Sequence, residues 1–425
     1  MKLIRDGHLM DPASGLDEKR DLVIDDQGRI AEIAPAGRLS PGDMEYDEVI
    51  DLGGKILAPG FVDVHVHFRD PGLTDKEDLV TGAAAAAAGG YTTVICMANT
   101  KPPIDSVDLL QDLIERERAL PIHVLQTANV TRGMKGQEPV DFGALYEAGA
   151  VGFTDDGLPI SDERILKKAL EKAGELDVPI SLHEEDPALI GSQGVNAGAV
   201  AEKLGVKGAS DEAEYVLVAR DVMLNRRIGA KLDIQHISSG VTVDILREAK
   251  RKGIRVYGEV TPHHLAATED LVLEQGSLAR VNPPLRTEKD RLSLIRGLSD
   301  GTIDMIATDH APHTREEKAR PLALAPSGMI GLETAFALVN TYAVREGGVS
   351  LMTALRAMTI NPARLYGLEA GQIAIGMSAD LVVLDPDEVW EVTDAFRSKA
   401  GNSPFIGREL VGRVKMTICR GEVVG

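Results

Sequence analysis

The sequence predicts an α/β protein: a (β/α)8 TIM-type barrel with a small β-sandwich formed by the N- and C-terminal segments. Eight apolar, β-rich runs alternate with stretches of helical periodicity through the middle of the 425-residue chain. Eight such units over about 260 residues match the size of this barrel. Both ends instead consist of short predicted strands joined by turns, and the ends of a domain often lie close together.

The two ends carry hairpin patterns that the middle lacks. Near the N-terminus, LVIDDQGRI is a β run, an Asp/Gly turn and a second β run. Near the C-terminus, ADLVVLD and GRVKMTICRGEVV repeat that pattern. We therefore predict one composite β-sandwich from residues 1–55 and 371–425, and a barrel from residues 56–370.

The predicted barrel strands are rich in Val, Ile and Leu, as expected for parallel strands buried on both faces. They lie at 56–68, 91–99, 121–130, 149–157, 179–185, 231–238, 255–265 and 302–313. Helices are predicted between them, for example at SDERILKKALEKAGEL, GVTVDILREAKRKG and the Ala-rich tract at 82–90. A doubly wound open sheet is the alternative, but no G-x-G-x-x-G follows the first strand to support nucleotide binding.

Composition excludes several classes of function. A formal charge of -20 argues against nucleic-acid binding, which depends on clustered Lys and Arg. Only two cysteines are present, Cys96 and Cys419, which favours free thiols in a reducing compartment. No apolar stretch approaches the length of a membrane span. We expect a cytoplasmic protein that binds no nucleic acid and no membrane and acts on a small molecule.

Histidines and aspartates interrupt the apolar runs at the carboxyl ends of predicted strands, where a (β/α)8 barrel gathers its catalytic residues. They are His65, His67, Asp155 or Asp156, His183, His236 and Asp309. Residues i and i+2 point to the same side of a strand, so His65 and His67 can bind one metal together. Imidazole and carboxylate ligands without thiolates are typical of a catalytic Zn, Mn or Fe site.

A purely structural role is the alternative for each of these side chains. A lone strand histidine such as His123 or His236 is more often a hydrogen-bonded core residue than a ligand. Six such groups in one barrel mouth would, however, bury many polar atoms without compensation, which is costly. The sequence therefore favours a metal-dependent hydrolase.

These residues lie within motifs that extend over essentially the whole chain: GFVDVHVHFRDPG, ICMANTKP, FTDDG, HEED, QHIS, EVTPHH, NPPLR, TDHAPH and GLET. Together they resemble the dihydroorotases of the amidohydrolase superfamily, in the bacterial class with an aspartate metal bridge. H-x-H is common across the superfamily, whereas F-R-D-P-G, N-P-P-L-R and T-D-H-A-P-H are specific to dihydroorotases. Hydantoinases and allantoinases are the nearest alternatives.

The resemblance implies two zinc ions per subunit. His65, His67 and Asp309 would bind the first, His183 and His236 the second, and Asp156 would bridge them. Many relatives use a carboxylated lysine as the bridge, but no lysine ends a suitable strand here. Asp156 matches the bridging position of the family, and Asp155 is the second choice. Period-two alternation turns only one of the two aspartates inward.

The resemblance also implies the substrate-binding residues. Arg69, Asn99 and His313 would hold the substrate carboxylate, and Asn282 with the backbone at Ser327 and Gly328 would bind the ring amides. His67 and Phe68 complete this set. The chain departs from the family pattern twice, with Ala98 where Pro is usual and Ser327 where Phe is usual. Neither departure removes a chemically active side chain, but the second predicts a raised KM. We expect His263, His264 and His310 to support the site.

The activity implied is reversible hydrolysis of the cyclic amide of (S)-dihydroorotate to N-carbamoyl-L-aspartate in pyrimidine biosynthesis, by a zinc-bridged hydroxide. Asp309 would act as general base and then acid. The alternatives are a hydantoinase or allantoinase, or a non-catalytic dihydroorotase-like partner of aspartate transcarbamoylase. Such partners typically lack several ligands, and all six stand here. We expect a homo-oligomer, and an active enzyme could still bind that transcarbamoylase.

Overall fold

The computed structural model describes residues 1–39 and 46–425. Within them, the strands in chain order are β1 Lys2–Asp11, β2 Leu16–Ile24, β3 Ile30–Pro35, β4 Glu48–Asp51, β5 Ile56–Pro59, β6 Phe61–Val66, β7 Tyr91–Cys96, β8 His123–Gln126, β9 Pro179–Leu182, β10 Lys231–Ile234, β11 Val256–Val260, β12 Met305–Ile306, β13 Leu381–Glu391, β14 Glu409–Cys419 and β15 Glu422–Val423.

The α-helices of the same residues are α1 Leu79–Ala88, α2 Val107–Glu117, α3 Phe142–Glu147, α4 Glu163–Leu176, α5 Ala199–Leu204, α6 Glu212–Ile228, α7 Gly240–Arg251, α8 Pro262–Ala266, α9 Asp270–Gln275, α10 Glu288–Ser299, α11 Arg315–Lys318, α12 Ala335–Leu338, α13 Leu351–Met358 and α14 Ile360–Tyr366. Short 3-10 turns lie at Arg132–Met134, Pro187–Leu189, Gly276–Ala279 and Leu332–Thr334, and a π-helical segment lies at Val339–Glu346. The helical segments predicted at SDERILKKALEKAGEL and GVTVDILREAKRKG are therefore confirmed as α4 and α7.

Strands from the two ends of the chain join in one sheet, as predicted. Its eight strands run in the order β15-β14-β13-β5-β1-β2-β3, with β4 paired to β1. The contact between the ends is made where β13 pairs antiparallel with β5, which itself lies parallel to β1. One apolar cluster buries side chains from both ends, including Leu22, Leu57, Leu381 and Ile418. The two ends of the chain therefore share one core.

The middle of the chain forms the predicted parallel barrel. Strands β6, β7 and β8 form one part of the wall, and β9 to β12 form another. Phe153 links them through single bridges to Ala128 and Ile180. On the other side, Val66 pairs with His310 and closes the ring. The fourth strand, predicted at 149–157, is thus reduced to pairing around Phe153, because the aspartates that follow turn towards other partners.

The run predicted as one barrel strand at 56–68 divides into two strands of different sheets. β5 belongs to the terminal sheet and β6 to the barrel, with Gly60 between them. A Cβ at Gly60 would lie 2.2 Å from the Thr92 hydroxyl oxygen, so only glycine fits this close crossing. Continuous apolar sequence did not reveal the break, because both strands are fully buried.

The Ala-rich tract forms helix α1, as predicted. Asp78 caps its first turn by accepting hydrogen bonds from the backbone of Val80 and Thr81. A Cβ at Gly82 would lie 2.4 Å from the Phe68 ring, so the small residues of this helix allow it to pack closely on the barrel. Among residues 1–39 and 46–425, no helix combines the length and apolar character needed to cross a bilayer.

Candidate metal centre and substrate cavity

A cavity of about 190 Å³ opens at the carboxyl ends of the barrel strands. Its lining residues are His67, Arg69, Asn99, Asp156, Gly157, His183, His236, Asn282, Asp309, Ala311, His313, Ser327 and Gly328. Two predicted site residues lie elsewhere. His65 is fully buried beneath the cavity, and the Phe68 side chain is in the core against Gly82. The fold therefore brings together residues that are up to 263 positions apart in sequence, from His65 to Gly328.

One side of the cavity is formed by histidines around two carboxylates. His65 Nε2 lies 3.5 Å from Asp156 Oδ1 and 3.6 Å from Asp309 Oδ1. His67 Nε2 lies 2.9 Å from Asp309 Oδ1 and 3.5 Å from Asp156 Oδ2. The two histidines of H-V-H thus point towards the same two carboxylates, as the i, i+2 spacing predicts.

The remaining two histidines converge on Asp156. His183 Nδ1 and His236 Nε2 are 3.0 Å apart, and they lie 3.8 and 3.6 Å from Asp156 Oδ1. The carboxylate of Asp156 therefore has imidazole nitrogens on both sides, from β6 and from the ends of β9 and β10. Asp155 points away, since its Oδ1 accepts hydrogen bonds from Val130 N and Thr131 N at 2.9 and 3.2 Å. Of the two aspartates, only Asp156 faces the histidines.

This donor set fits a metal ion. Two overlapping groups, His65 with His67 and Asp309, and His65 with Asp156 and His236, bring their donor atoms within 4.8 Å of one another. His65 Nε2 and His236 Nδ1 are buried without a hydrogen-bond partner. Separations of 3.5 to 3.6 Å around His65 Nε2 are too long for hydrogen bonds. They approach the distance of about 3.3 Å between neighbouring ligands of a tetrahedral ion with bonds near 2 Å.

Three of the four histidines direct their other ring nitrogen at a side-chain oxygen. The pairs are His65 Nδ1 with Glu259 Oε2 at 3.1 Å, His67 Nδ1 with Asn99 Oδ1 at 3.0 Å, and His183 Nε2 with Glu185 Oε2 at 3.2 Å. An N–H donated outward leaves the inward nitrogen as a lone pair, which is the form that binds a metal. Glu259 and Glu185 were not predicted from the sequence as site residues. The one indication in the sequence was their position in strand-end motifs, Glu259 in EVTPHH and Glu185 in HEED.

Asn99 has a second contact that links the ligands. Its Nδ2 donates to Asp156 Oδ2 at 2.9 Å while its Oδ1 accepts from His67. The side chain predicted to contact the substrate thus also orients two predicted metal ligands.

The two carboxylates are ionised at neutral pH. Burial raises the pKa of Asp156, but the charge of His65 and contacts with His236 outweigh it and hold the pKa well below its usual range. Burial likewise opposes ionisation of Asp309, but its hydrogen bond with His67 and the charge of His65 lower the pKa. Both side chains can therefore bind a cation, and either could accept a proton.

Three of the site residues adopt left-handed backbone conformations that are unusual outside glycine. The φ angles are 59° at Arg69, 32° at His236 and 47° at Asp309. Such conformations cost of order 1 to 3 kcal/mol and cluster at functional sites. Each of these residues lies two or three positions after a barrel strand, where the chain turns and the side chain lines the cavity.

The opposite side of the cavity is built from loops. Arg69 is half-buried, and its Nε donates to Pro312 O at 3.3 Å. His313 Nε2 donates to Ser327 O at 2.9 Å, and burial together with the charge of Arg69 lowers the pKa of His313 to about 3. His313 is therefore a neutral hydrogen-bond donor here. Arg69 supplies the positive charge that an anionic ligand would need in this acidic protein.

The comparisons with known proteins extend over the whole chain. Residues 56–424 match the amidohydrolase family. A dihydroorotase of Clostridioides difficile is 53% identical over 424 residues, covering 100% of this chain and 99% of that protein. A dihydroorotase of Lactococcus lactis is 48% identical and covers 99% and 98%. The chain belongs to the amidohydrolase family, among the dihydroorotases.

Solved structures agree on the fold. The L-hydantoinase (dihydropyrimidinase) from Arthrobacter aurescens superposes with a TM-score of 0.87 at 25% identity, covering 99% of this chain and 95% of that one. A D-hydantoinase (dihydropyrimidinase) from Thermus sp. gives 0.83 at 25% identity, with 100% and 95% covered. The family assignment and the fold class predicted from sequence are both confirmed.

The structure also describes the two departures from the family pattern. Ala98 is fully buried in the main apolar core and does not line the cavity. The Ser327 hydroxyl donates to Asn282 Oδ1 at 3.0 Å. This bond occupies the amide oxygen of Asn282 and leaves its NH2 group for a ligand carbonyl. Only the backbone at Ser327 was predicted to bind the ligand. Its side chain also contacts Asn282, another predicted binding residue.

Proposed function

We propose that the protein is a dihydroorotase, which hydrolyses the ring amide of (S)-dihydroorotate reversibly to N-carbamoyl-L-aspartate. The observation that carries the proposal is one cavity with metal-binding histidines and aspartates on one side and Arg69 on the other. This arrangement suits a cyclic amide that also carries a carboxylate. Relatives named dihydroorotase at about half identity over the full length support the same activity.

Two zinc ions are proposed, held by His65, His67 and Asp309, by His183 and His236, and by Asp156 between them. The overlap of the two metal-binding groups at His65 and the position of Asp156 between the histidine pairs support a shared centre. When bound, the metals would lower the pKa of water and polarise the scissile carbonyl. Zinc rather than another metal, and a count of two, stay predictions.

Asp309 is proposed to take the proton from the attacking water and to deliver it to the ring nitrogen as the amide bond breaks. Its carboxylate is ionised, so it can accept that proton. His67 Nε2 lies 2.9 Å from Oδ1, the oxygen on the side of the metal-binding group, which leaves Oδ2 to move the proton. The left-handed turn at Asp309 directs the side chain across the strand end towards the cavity.

The substrate carboxylate is proposed to bind Arg69, whose guanidinium can hold it through two hydrogen bonds. His313 would donate a further hydrogen bond from Nε2 by exchanging Ser327 O for the ligand. The NH2 group of Asn282 and the backbone at Ser327 and Gly328 would bind the ring amides.

Ring-opening assays with dihydroorotate, hydantoin and allantoin test this function. We expect dihydroorotate to be turned over fastest, because only its ring carries a carboxylate that can pair with Arg69. Faster turnover of hydantoin or allantoin would identify the alternative, a cyclic amidohydrolase of the hydantoinase type. No turnover of any of the three by metal-loaded protein would favour a non-catalytic partner of aspartate transcarbamoylase.

The pH dependence of the two directions provides a second test. Ring closure requires a carboxyl group to lose oxygen, which is easier when that carboxyl is protonated, so closure should slow as pH rises while hydrolysis accelerates. Identical pH profiles in the two directions would contradict this. A homo-oligomer, an association with aspartate transcarbamoylase and a cytoplasmic location also stay proposals. The division into 1–55 with 371–425 and 56–370 stays a proposal too, with β5 at Ile56–Pro59 paired in the terminal sheet.

A further inference from the structure

The long connection between β13 and β14 leaves the terminal sheet and reaches the cavity loops. Its base is closed where Val392 N donates to Arg408 O at 2.9 Å and Gly407 N donates to Val392 O at 2.7 Å. Between these points, residues 397–402, which we call the strap, contact three separate loops at the mouth of the barrel. No motif singled out from the sequence includes these residues.

The first part of the strap is attached through its backbone. Glu333 accepts hydrogen bonds from Arg397 N at 2.9 Å and from Ser398 N at 3.1 Å. The buried Glu77 accepts from Lys399 N at 3.1 Å and from the Ser398 hydroxyl. Two carboxylates from different barrel loops thus fix the course of the strap.

The last strap residue, Asn402, holds the loops that carry the predicted substrate contacts. Its Oδ1 accepts from His313 N at 3.1 Å, and its Nδ2 donates to Ala311 O and Gly328 O, both at 3.1 Å. Its backbone oxygen accepts from Ile330 N at 3.2 Å. The side chain is only 3% exposed, so water cannot easily replace these bonds.

We propose that Asn402 is a positioning residue that sets the distance between the His313 loop and the Ser327–Gly328 loop, and so determines affinity for the substrate carboxylate and ring amides. It does not touch the metal-binding side chains. The inference rests on the proposed function for the identity of the substrate, but the loop positions it concerns are independent of that identity. Misplacement of a binding group by about 1 Å can cost about 100-fold in rate.

The chain offers a matched control in Asn225, which has the same hydrogen-bond pattern far from the cavity. Its Nδ2 donates to Ala230 O at 2.9 Å and Arg255 O at 2.8 Å, and its Oδ1 accepts from Ala230 N at 2.9 Å. It is fully buried. Asn225→Ala therefore removes a buried amide of equal bonding from the opposite end of the barrel.

The test compares wild type, Asn402→Ala and Asn225→Ala by kcat and KM for dihydroorotate and by hydrogen exchange of the peptides around His313 and Gly328. We expect Asn402→Ala to raise KM about tenfold or more with kcat nearly unchanged, and to speed exchange in both peptides. Asn225→Ala should lose comparable thermal stability with wild-type KM. Equal KM and equal exchange in the two variants would overturn the proposal.

A milder variant covers the case in which Asn402→Ala does not fold. Lys399 is partly exposed, and its Nζ donates to Thr74 O at 2.8 Å and to Asp78 Oδ2. Lys399→Ala loosens the strap from outside and should change KM and exchange in the same direction, by less. Unchanged KM and unchanged exchange in Lys399→Ala would contradict a role of the strap in positioning the loops. If wild type does not turn over dihydroorotate, the proposed function fails, and the exchange data alone decide the role of Asn402.

Discussion

The two sides of the cavity are built differently. The metal-binding side is carried by residues at or just after barrel strands, with side chains that are 10% exposed or less. The substrate side is carried largely by loops, and the Gly328 loop is held by Lys318 and by the sequence-distant Asn402, which both donate to Gly328 O. The predicted metal ligands thus lie at the ends of barrel strands, whereas much of the predicted substrate side lies on longer connections between them.

This difference predicts which measured property a variant of each side should change. Variants of the metal-binding side should change metal content and kcat, because the ligands there contact one another directly. Variants of Arg69, Ser327 or His313 should change KM and leave metal content intact, because these side chains form no hydrogen bond with a predicted metal ligand. Asn99 is the exception, since it bonds both His67 and Asp156. A substrate-side variant that changed metal content, or a metal-side variant that changed only KM, would show that the two sides are coupled.

The largest effect is expected from Asp156→Ala. Loss of the carboxylate between the histidine pairs should remove at least one metal per chain and lower kcat by at least about 100-fold. Asp155→Ala is the matched control, because Asp155 is the neighbouring buried carboxylate but bonds to Val130 and Thr131. It should lose stability and keep its metal. Metal analysis and kcat check both variants, and a fully active Asp156→Ala would remove this residue as the bridge.

Arg69→Met should have the next largest effect. Hydrogen bonds to a charged group contribute about 1.5 to 3 kcal/mol, so KM for dihydroorotate should rise by roughly 10- to 150-fold. Metal content should be unchanged, because the Arg69 side chain donates to Pro312 O and not to a ligand. Dihydrouracil, the same ring without the carboxylate, is the control substrate. An equal loss with both substrates would mean that Arg69 does not recognise the carboxylate.

Ser327→Ala should have a smaller effect on the same side. Removing its hydroxyl frees the Asn282 amide, whose oxygen it holds at 3.0 Å. A neutral hydrogen bond contributes about 0.5 to 1.5 kcal/mol, so KM should rise roughly 2- to 12-fold at constant kcat. Ser293→Ala, which removes a hydroxyl bonded to Lys289 O on α10, is the control. A KM equal to that of the control would leave the hydroxyl without a role in binding.

Glu117→Gln should leave activity unchanged, because Glu117 lies outside both sides of the cavity. Burial raises its pKa to about 7 despite the hydrogen bond from Gln126. A folded-state pKa above the unfolded value means that the native protein binds the extra proton, so wild-type stability falls as pH rises from the unfolded value through about 7. Relative to Glu117→Gln, wild type should lose roughly 2 kcal/mol between pH 5 and 8. Denaturant unfolding at both pH values checks this, and parallel curves would contradict it.

The metal-binding side was predictable from sequence because its ligands lie at or just after the carboxyl ends of apolar strands, with His65 and His67 on the same strand. His65, His183 and Asp309 could each be assigned from a few neighbouring residues and the rule that strand carboxyl ends meet. The choice between Asp155 and Asp156 needed coordinates, since alternation states that one turns inward and not which one.

The other features could not be predicted from neighbouring residues in the sequence. Asn402 is 89 residues from His313 and lies in a connection that the strand pattern assigned to the terminal β unit. The split at Gly60 was hidden for a different reason, because a run of buried residues has the same appearance in either sheet. Both features depend on contacts between segments that are far apart in sequence, and the periodicity within one segment does not predict such contacts.

The strap also fixes an order of assembly during synthesis. Every predicted metal ligand lies at or before Asp309, whereas Asn402 follows 93 residues later. At synthesis rates of about 5 to 20 residues per second, this interval lasts roughly 5 to 20 s. A nascent chain therefore contains every predicted metal ligand before it contains Asn402, the residue proposed to align the substrate loops. If both roles hold, the residues for metal binding are synthesised before the last residue needed for tight substrate binding.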